Sequence, residues 1–227
     1  MGYINGYDFS LLNDQVIITD YNRNNNCKIV ENKNLIDDKN NIITNYNLIL
    51  SKFKNNDNKL VVEIGSGNGH LINKLAIETP DINFLGIEMR QKRIVRCREK
   101  QVKNNTQNLC WICGEAFYSI FRYIGDNTVE RFLMTFPDPW PKKRHAKNRL
   151  FKQNFVDLFY TKLKTGGEFI FVTDDNPYYL EAANLVREDK RFVFNDSIFE
   201  PELTLSLFGD RWKQENRTIY QFRLLKL

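Results

Sequence analysis

From residue 60 onward, short apolar runs of β-type residues alternate with helical stretches, and no other feature of the chain constrains its fold as strongly. The predicted strands are residues 60–64, 82–88, 109–113, 132–136 and 168–173. The predicted helices are residues 70–77, 91–102, 116–123, 150–163 and 177–187. Strands joined through helices pair in parallel, and the helices cover both faces of the sheet. The sequence therefore predicts an α/β fold with a mainly parallel sheet.

Both ends of the chain depart from this alternation. Residues 192–194 and 218–225 form two more apolar runs without a long helix between them, so we expect an antiparallel edge pair in a seven-stranded sheet. The first 58 residues contain 15 Asn and show little apolar patterning, apart from a short helical segment at residues 41–53. We interpret residues 1–58 as a partly irregular extension and residues 59–227 as the main folded domain.

The composition indicates a globular protein without a membrane span. Charged residues make up 27% and hydrophobic residues 42% of the chain, and the formal net charge is +5. No apolar run approaches the ~20 residues that cross a bilayer, and the first residues do not resemble a secretory signal. We expect a cytoplasmic monomer or homodimer.

Cys110 and Cys113 form an isolated C-x-x-C motif. A zinc site would need a second pair of ligands at matching spacing, whereas the other cysteines and the two histidines are scattered. The motif lies in the apolar run LCWIC, which is typical of a buried strand. We therefore expect reduced structural thiols and no metal site.

Residues 63–69, EIGSGNG, join the first predicted strand to a helix, and we call them the glycine loop. Gly65, Gly67 and Gly69 permit positive φ angles and close approach of a ligand to the backbone. The spacing is G-x-G-x-G, whereas a dinucleotide site prefers G-x-G-x-x-G. Glu63 would repel a pyrophosphate but attract an ammonium group.

Acidic residues end the other predicted strands. Glu88 can accept hydrogen bonds from both hydroxyls of a ribose, and Glu115 is placed to meet an adenine edge. The Met89 side chain fits two roles equally well: packing against the face of an adenine, and packing in the hydrophobic core. Together with the loop, these residues favour S-adenosylmethionine over a dinucleotide. Glu63, Glu88, Glu115, Asp138 and Asp174 all follow or end predicted strands, so we expect them to converge on one rim of the sheet.

Residues 136–150, FPDPWPKKRHAKNRL, form a second distinctive segment, which we call the basic turn. Asp138 lies between Pro137 and Pro139, which restrict the backbone on both sides of it. Trp140 adds an apolar wall, and five cations follow: Lys142, Lys143, Arg144, Lys147 and Arg149. This combination suits a nucleic acid whose bases are bound one at a time. A second basic stretch, residues 90–100, is interpreted more simply as the solvated face of a helix.

These segments resemble the tRNA (guanine-N7-)-methyltransferase family of bacterial single-chain type, over about residues 60–225. The most specific element is FPDPWPKKRHAKNRL, supported by VVEIGSGNG, FLGIEMRQKRI, GGEFIFVTDDNPY and SLFGDRWKQENRTIYQ. The resemblance implies a Rossmann-like fold that uses S-adenosylmethionine to methylate N7 of the guanine at position 46 in the tRNA variable loop.

The resemblance also implies roles for individual residues. Glu63, Glu88 and, where the family usually has Asp, Glu115 correspond to cofactor contacts, and Asp138 to the catalytic or guanine-holding acid. The implied substrate-binding residues are Lys142, Arg144, Arg149, Asp174 and Ser206. Ser206 matches the hydroxyl of the family's T-x-x-E signature, whereas Gly209 replaces its carboxylate and Asp210 follows directly. Asn148 stands where the family commonly has Arg.

Other functions remain open at this point. The P-D-P-W turn is similar to the D/N-P-P-Y/W turn of amino methyltransferases, although the basic residues after it are not part of that pattern. A catalytically silent RNA-binding subunit on the same scaffold is a second alternative, which the complete set of Glu63, the glycine loop and Glu88 opposes. A nicotinamide dehydrogenase ranks last because of the glycine spacing.

Overall fold

A computed structural model of the chain describes residues 3–4, 7–8, 15–18, 39–197, 199–204 and 217–227. The chain divides into two compact units, Met1–Gly125 and Asp126–Leu227. Within the described ranges, no helix is both long enough and apolar enough to span a bilayer.

The first unit is built on parallel strands. Its strands are β1 (Tyr3–Ile4), β2 (Tyr7–Asp8), β3 (Val16–Ile18), β4 (Lys59–Ile64), β5 (Ile82–Glu88) and β6 (Leu109–Cys113). Its helices are α1 (Lys39–Leu50), α2 (His70–Glu78), α3 (Gln91–Lys103) and α4 (Ala116–Tyr123). Strands β3, β6, β5 and β4 lie side by side in that order and all pair in parallel, while β1 and β2 form a short antiparallel pair. The near-continuous burial of β4, β5 and β6 is the pattern expected of strands covered on both faces.

The second unit mixes parallel and antiparallel pairing. It contains β7 (Val129–Thr135), α5 (Gln153–Lys162), β8 (Leu163–Thr173), α6 (Asn176–Val186), β9 (Phe192–Asn195) and β10 (Tyr220–Lys226), with 3₁₀ turns at Lys143–Asn148 and Pro201–Thr204. Strands β7 and β8 are parallel, and β10 runs antiparallel between β8 and β9. Stacked and tilted aromatic rings fill its core: Phe151, Phe159, Phe169, Phe171 and Phe222.

The predicted α/β class, with mainly parallel strands and an antiparallel edge pair, is confirmed. Strands β5 and β6 and helix α4 have the predicted bounds. Strand β3 was not predicted, and it comes from the Asn-rich segment interpreted as irregular. Val16 of β3 pairs with Trp111 of β6. The division of the chain at residue 58 stays a prediction.

Candidate functional site

The glycine loop exposes two of its glycines to open space. Gly65 and Gly67 have φ angles of +74° and +56°. A Cβ built on Gly65 would meet no atom within 4 Å, and one on Gly67 would reach only the Gly65 carbonyl, at 4.0 Å. The backbone N–H groups of Gly65 and Ser66 both donate to the Ile87 carbonyl, at 2.8 and 3.0 Å, which ties the loop to β5. The loop is therefore fixed where it meets β5, and it is open to a ligand at Gly65 and Gly67.

Gly69 differs from these two glycines because it is packed against the protein. Its φ is +68°, and a Cβ there would lie 2.9 Å from the Trp111 ring and from the Cys97 sulfur, and 2.8 Å from the Asn73 amide. Packing at the start of α2 therefore requires a glycine here, and the predicted part of Gly69 in cofactor binding stays a prediction.

Trp111 supports the loop, and the sequence analysis assigned it no role. It is fully buried on β6 and pairs across the sheet with Gly86 of β5, where an added Cβ would lie 2.3 Å from the indole ring. Its Nε1–H donates to the Gln101 side chain at 2.7 Å. A glycine inside a buried strand is the sequence signal that could have revealed this close approach.

Glu88 links the glycine loop to the helix that follows β5. Its side chain is 7% exposed, and its carboxylate accepts hydrogen bonds from the backbone N–H groups of Gly67, at 3.1 Å, and Arg90, at 2.9 Å. Arg93 Nη1 lies 3.4 Å from the same carboxylate. The predicted ribose acid is thus a buried, oriented acceptor beside the open glycines.

Side chains of α3 hold the outer side of the loop. Lys100 Nζ donates to the Asn68 carbonyl at 2.6 Å, and the Cys97 thiol donates to the Gly67 carbonyl at 3.4 Å. Burial lowers the pKa of Lys100. Arg98 is buried and donates to the Gln101 side chain. The interpretation of residues 90–100 as a solvated face is therefore wrong for Arg98 and Lys100, which support the loop and the strand beneath it.

The other predicted cofactor residues also belong to the first unit. Glu63 is 2% exposed near the end of β4, and Met89 is half-buried directly after β5. Glu115 caps α4, since its Oε2 accepts a hydrogen bond from the backbone N–H of Tyr118 at 2.8 Å. Glu115 thus has a helix-capping function that the sequence analysis did not foresee.

Three cysteines, Cys97, Cys110 and Cys113, lie among the described residues of the first unit, and all three are buried and form no disulfide. Cys110 and Cys113 therefore match the prediction of structural thiols. Burial raises the pKa of all three, that of Cys113 to about 12. In the described part of the chain, no three potential metal-ligating side chains form a cluster. Buried thiols with raised pKa values are poor nucleophiles and poor metal ligands.

In the second unit, the basic turn begins with unusual backbone conformations. Phe136 and Trp140 have φ angles of 49° and 46°, although bulky residues rarely adopt positive φ. The backbone N–H of Phe136 donates to the Val172 carbonyl at 2.8 Å, which anchors the start of the turn on β8. Strained residues thus lie on either side of Asp138, a pattern that clusters at functional sites.

Among the described side chains of the turn, one anion and three cations are exposed to solvent. They are Asp138, Lys142, Arg144 and Lys147, and their side chains make no hydrogen bond or ion pair with any residue that the structure describes. Trp140 is 36% exposed, and its ring meets His145 edge-on at 5.9 Å between centroids. An acidic acceptor, an aromatic surface and free cations therefore stand together on one short segment.

Arg149, predicted with Lys142 and Arg144 as a substrate-binding residue, differs from them in its burial and in its internal partners. It is 8% exposed, its Nε donates to the Pro139 carbonyl at 2.8 Å, and its Nη1 pairs with Glu181. Its guanidinium carbon lies 4.9 Å from the centre of the Tyr178 ring. Arg149 therefore lies beneath the turn and not on its solvent-facing side.

The remaining predicted substrate residues lie further along the second unit. Asp174 directly follows β8 and forms an ion pair with Arg217 at 3.0 Å, with its side chain 17% exposed. Ser206, Gly209 and Asp210 lie outside the described residues, so the T-x-x-E comparison stays a prediction.

Comparison with known proteins gives a consistent result. A methyltransferase family model matches residues 57–222. The tRNA (guanine-N(7)-)-methyltransferase of Chlamydia felis is 34% identical over 177 residues, which are 77% of this chain and 79% of that protein. The enzyme of the same name from Aquifex aeolicus is 36% identical over 172 residues, or 74% of this chain and 57% of that protein.

Solved structures with the same fold are methyltransferases. A 30S ribosomal A1408 methyltransferase from an uncultured bacterium has a TM-score of 0.54 at 22% identity, covering 84% of this chain and 95% of its own. A methyltransferase-fold protein from Streptococcus mutans, solved in complex with SAH, has a TM-score of 0.51 at 12% identity, covering 82% and 98%. At these identities the likeness shows the fold. Taken with the sequence relatives, it places the chain in the tRNA (guanine-N(7)-)-methyltransferase family of S-adenosylmethionine-dependent methyltransferases.

Proposed function

We propose that this protein transfers the methyl group of S-adenosylmethionine to N7 of the guanine at position 46 in the variable loop of tRNA. The observation that carries the proposal is the exposed Asp138 carboxylate, held on a strained turn beside the free cations Lys142 and Arg144, in a chain of this family. We expect the reaction in the cytoplasm, by a monomer or homodimer.

The first unit offers acceptor groups and open backbone that suit this cofactor. Gly65 and Gly67 leave room for a ligand against the backbone, and the buried Glu88 carboxylate is oriented beside them to accept from a ribose. Glu63 and Glu88 place negative charge where a cofactor with an ammonium and a sulfonium group would bind. When bound, the cofactor supplies an electrophilic methyl group. We assign Glu63, Gly65, Gly67 and Glu88 to its binding, with Met89 against the adenine.

Asp138 supplies the acidic group that the guanine needs. Guanine N7 has a free lone pair, so its methylation requires no prior removal of a proton and no general base. The N1–H and N2–H groups of guanine can donate to the two oxygens of the Asp138 carboxylate, which fixes the base in the plane of that carboxylate. The same negative charge stabilises the purine as it becomes positive during methyl transfer. We retain Asp174 and Ser206 as helpers in holding the base.

The exposed cations suit the RNA backbone. Lys142 and Arg144 can approach phosphates without first breaking an ion pair, and Trp140 offers an apolar surface for an unstacked base. Contacts with phosphates and stacking on an aromatic ring distinguish little between base sequences. The target must therefore be selected by the shape of the folded tRNA.

A methylation assay with nucleoside analysis tests the proposal. Unmodified tRNA transcript is incubated with the purified chain and methyl-labelled S-adenosylmethionine, and the digested RNA is resolved into nucleosides. We expect the label in N7-methylguanosine, and none when position 46 carries adenine. Label in an exocyclic amine would indicate the amino-methyltransferase alternative. Cofactor binding without transfer to any RNA would contradict the proposal.

A further inference from the structure

Arg149 differs from the exposed cations of the basic turn because its guanidinium binds other groups of the protein. Its Nε–H donates to the Pro139 carbonyl at 2.8 Å, its Nη1 pairs with the Glu181 carboxylate, and its plane lies over the Tyr178 ring. With 8% of the residue exposed, little of the side chain remains for an RNA phosphate.

These partners connect two different elements. Pro139 directly follows Asp138 in the turn, whereas Tyr178 and Glu181 lie three residues apart on one face of α6. Tyr178 is itself fixed, because its hydroxyl accepts from the Phe151 N–H at 3.0 Å and its own N–H donates to Asp175 at 2.8 Å. The guanidinium therefore joins the basic turn to helix α6.

The turn requires such a connection. Phe136 and Trp140 hold positive φ angles of 49° and 46°, and backbone of this kind persists only where its surroundings enforce it. The neighbouring prolines restrict their own φ angles but cannot impose a positive φ on Phe136 or Trp140. Phe136 is anchored through its N–H on β8, and at the Trp140 side the anchor is the Arg149–Pro139 hydrogen bond.

We propose that Arg149, acting with Glu181 and Tyr178, is a positioning residue that holds the Asp138 segment on α6 in the geometry needed for methyl transfer, and that it does not contact tRNA. The expected loss of kcat rests on the proposed function. The role of Arg149 in holding the turn can be tested without the reaction. A planar guanidinium can serve the carbonyl, the carboxylate and the ring together, which an ammonium group cannot.

The test compares Arg149→Lys and Glu181→Gln with Arg187→Ala. Arg187, at the other end of α6, also combines an ion pair, with Asp196, and a ring contact, with Phe194, but it lies away from the turn. We expect Arg149→Lys to lower kcat about 10- to 100-fold, as misplacement of a reacting group does, with tRNA Kd and its salt dependence unchanged. Glu181→Gln should lower kcat less, and Arg187→Ala should match the parent protein.

Hydrogen–deuterium exchange of peptides from residues 136–150 provides the readout that is independent of activity. We expect exchange there to rise about tenfold in Arg149→Lys and to stay unchanged in Arg187→Ala. Unchanged exchange in Arg149→Lys would overturn the positioning role, as would weaker tRNA binding with a smaller salt dependence, which marks a phosphate contact. An inactive parent protein with the expected exchange pattern would count against the proposed function alone.

Discussion

The glycine loop and the basic turn are both short connections that follow strands, but the structure stabilises them in opposite ways. The loop is surrounded by buried side chains, and its carbonyls and N–H groups are bonded to Glu88, Cys97 and Lys100. The turn is held by few contacts, chiefly Arg149 from below, and it leaves Asp138 and its cations exposed. Under the proposed function, the loop would be a largely pre-formed site for a small cofactor, and the turn would keep its charges free for a large polyanion.

The largest effect is expected when the charge of Asp138 in the basic turn is removed. Asp138→Asn keeps the shape of the side chain and removes the charge that would stabilise the methylated purine. We expect kcat to fall about 100- to 1,000-fold, as when one preorganised electrostatic group is lost from an active site. The melting temperature should not change, because the carboxylate is exposed and makes no hydrogen bond or ion pair with any described residue. Single-turnover methylation assays and thermal melts measure the two effects, and near-parental kcat would remove Asp138 from the mechanism.

A matching change at Glu88, beside the glycine loop, should affect both cofactor binding and stability. In Glu88→Gln only one oxygen remains to accept from Gly67 and Arg90, so one backbone donor loses its partner, at a cost of about 1–3 kcal/mol. We expect the Kd for S-adenosylmethionine, measured by calorimetry, to rise about 10- to 100-fold. Glu78→Gln is the control, since Glu78 forms an exposed i,i+4 pair with Lys74. Unaltered cofactor affinity in Glu88→Gln would exclude Glu88 as the ribose acceptor.

The two regions also differ in how much of them the sequence reveals. The strand and helix alternation predicted β5, β6 and α4 with the observed bounds, because the apolar period is a local property. The role of Trp111 was not predictable in this way, since it depends on a cross-strand neighbour, Gly86. The burial of Arg149 was not predictable for a related reason: charge is visible in a sequence, but its partner Glu181 lies on another element, 32 residues away.

The close approach of Gly86 to Trp111 gives a stability prediction for the packed region under the loop. Gly86→Ala would place a methyl group 2.3 Å from the ring, and overpacking of this kind costs about 1–3 kcal/mol of the free energy of unfolding. The same substitution in a Trp111→Leu background should cost less, because the smaller side chain leaves room. Urea unfolding of the four proteins in this double-mutant cycle measures the coupling. Additive effects would mean that the ring does not limit position 86.

The smallest expected effects test the exposed side of the basic turn. Lys142→Ala and Arg144→Ala should each weaken tRNA binding several-fold and lower the slope of log Kd against log salt by about one unit, as for the loss of one phosphate contact. Stability and cofactor affinity should not change, because neither side chain makes a hydrogen bond or ion pair with a described residue. Lys190→Ala removes the same charge from an exposed position beyond the C-terminal end of α6, so it controls for net charge. If Lys190→Ala lowers the salt slope equally, the effect belongs to the overall charge of the protein, and the turn would have no special part in gripping RNA.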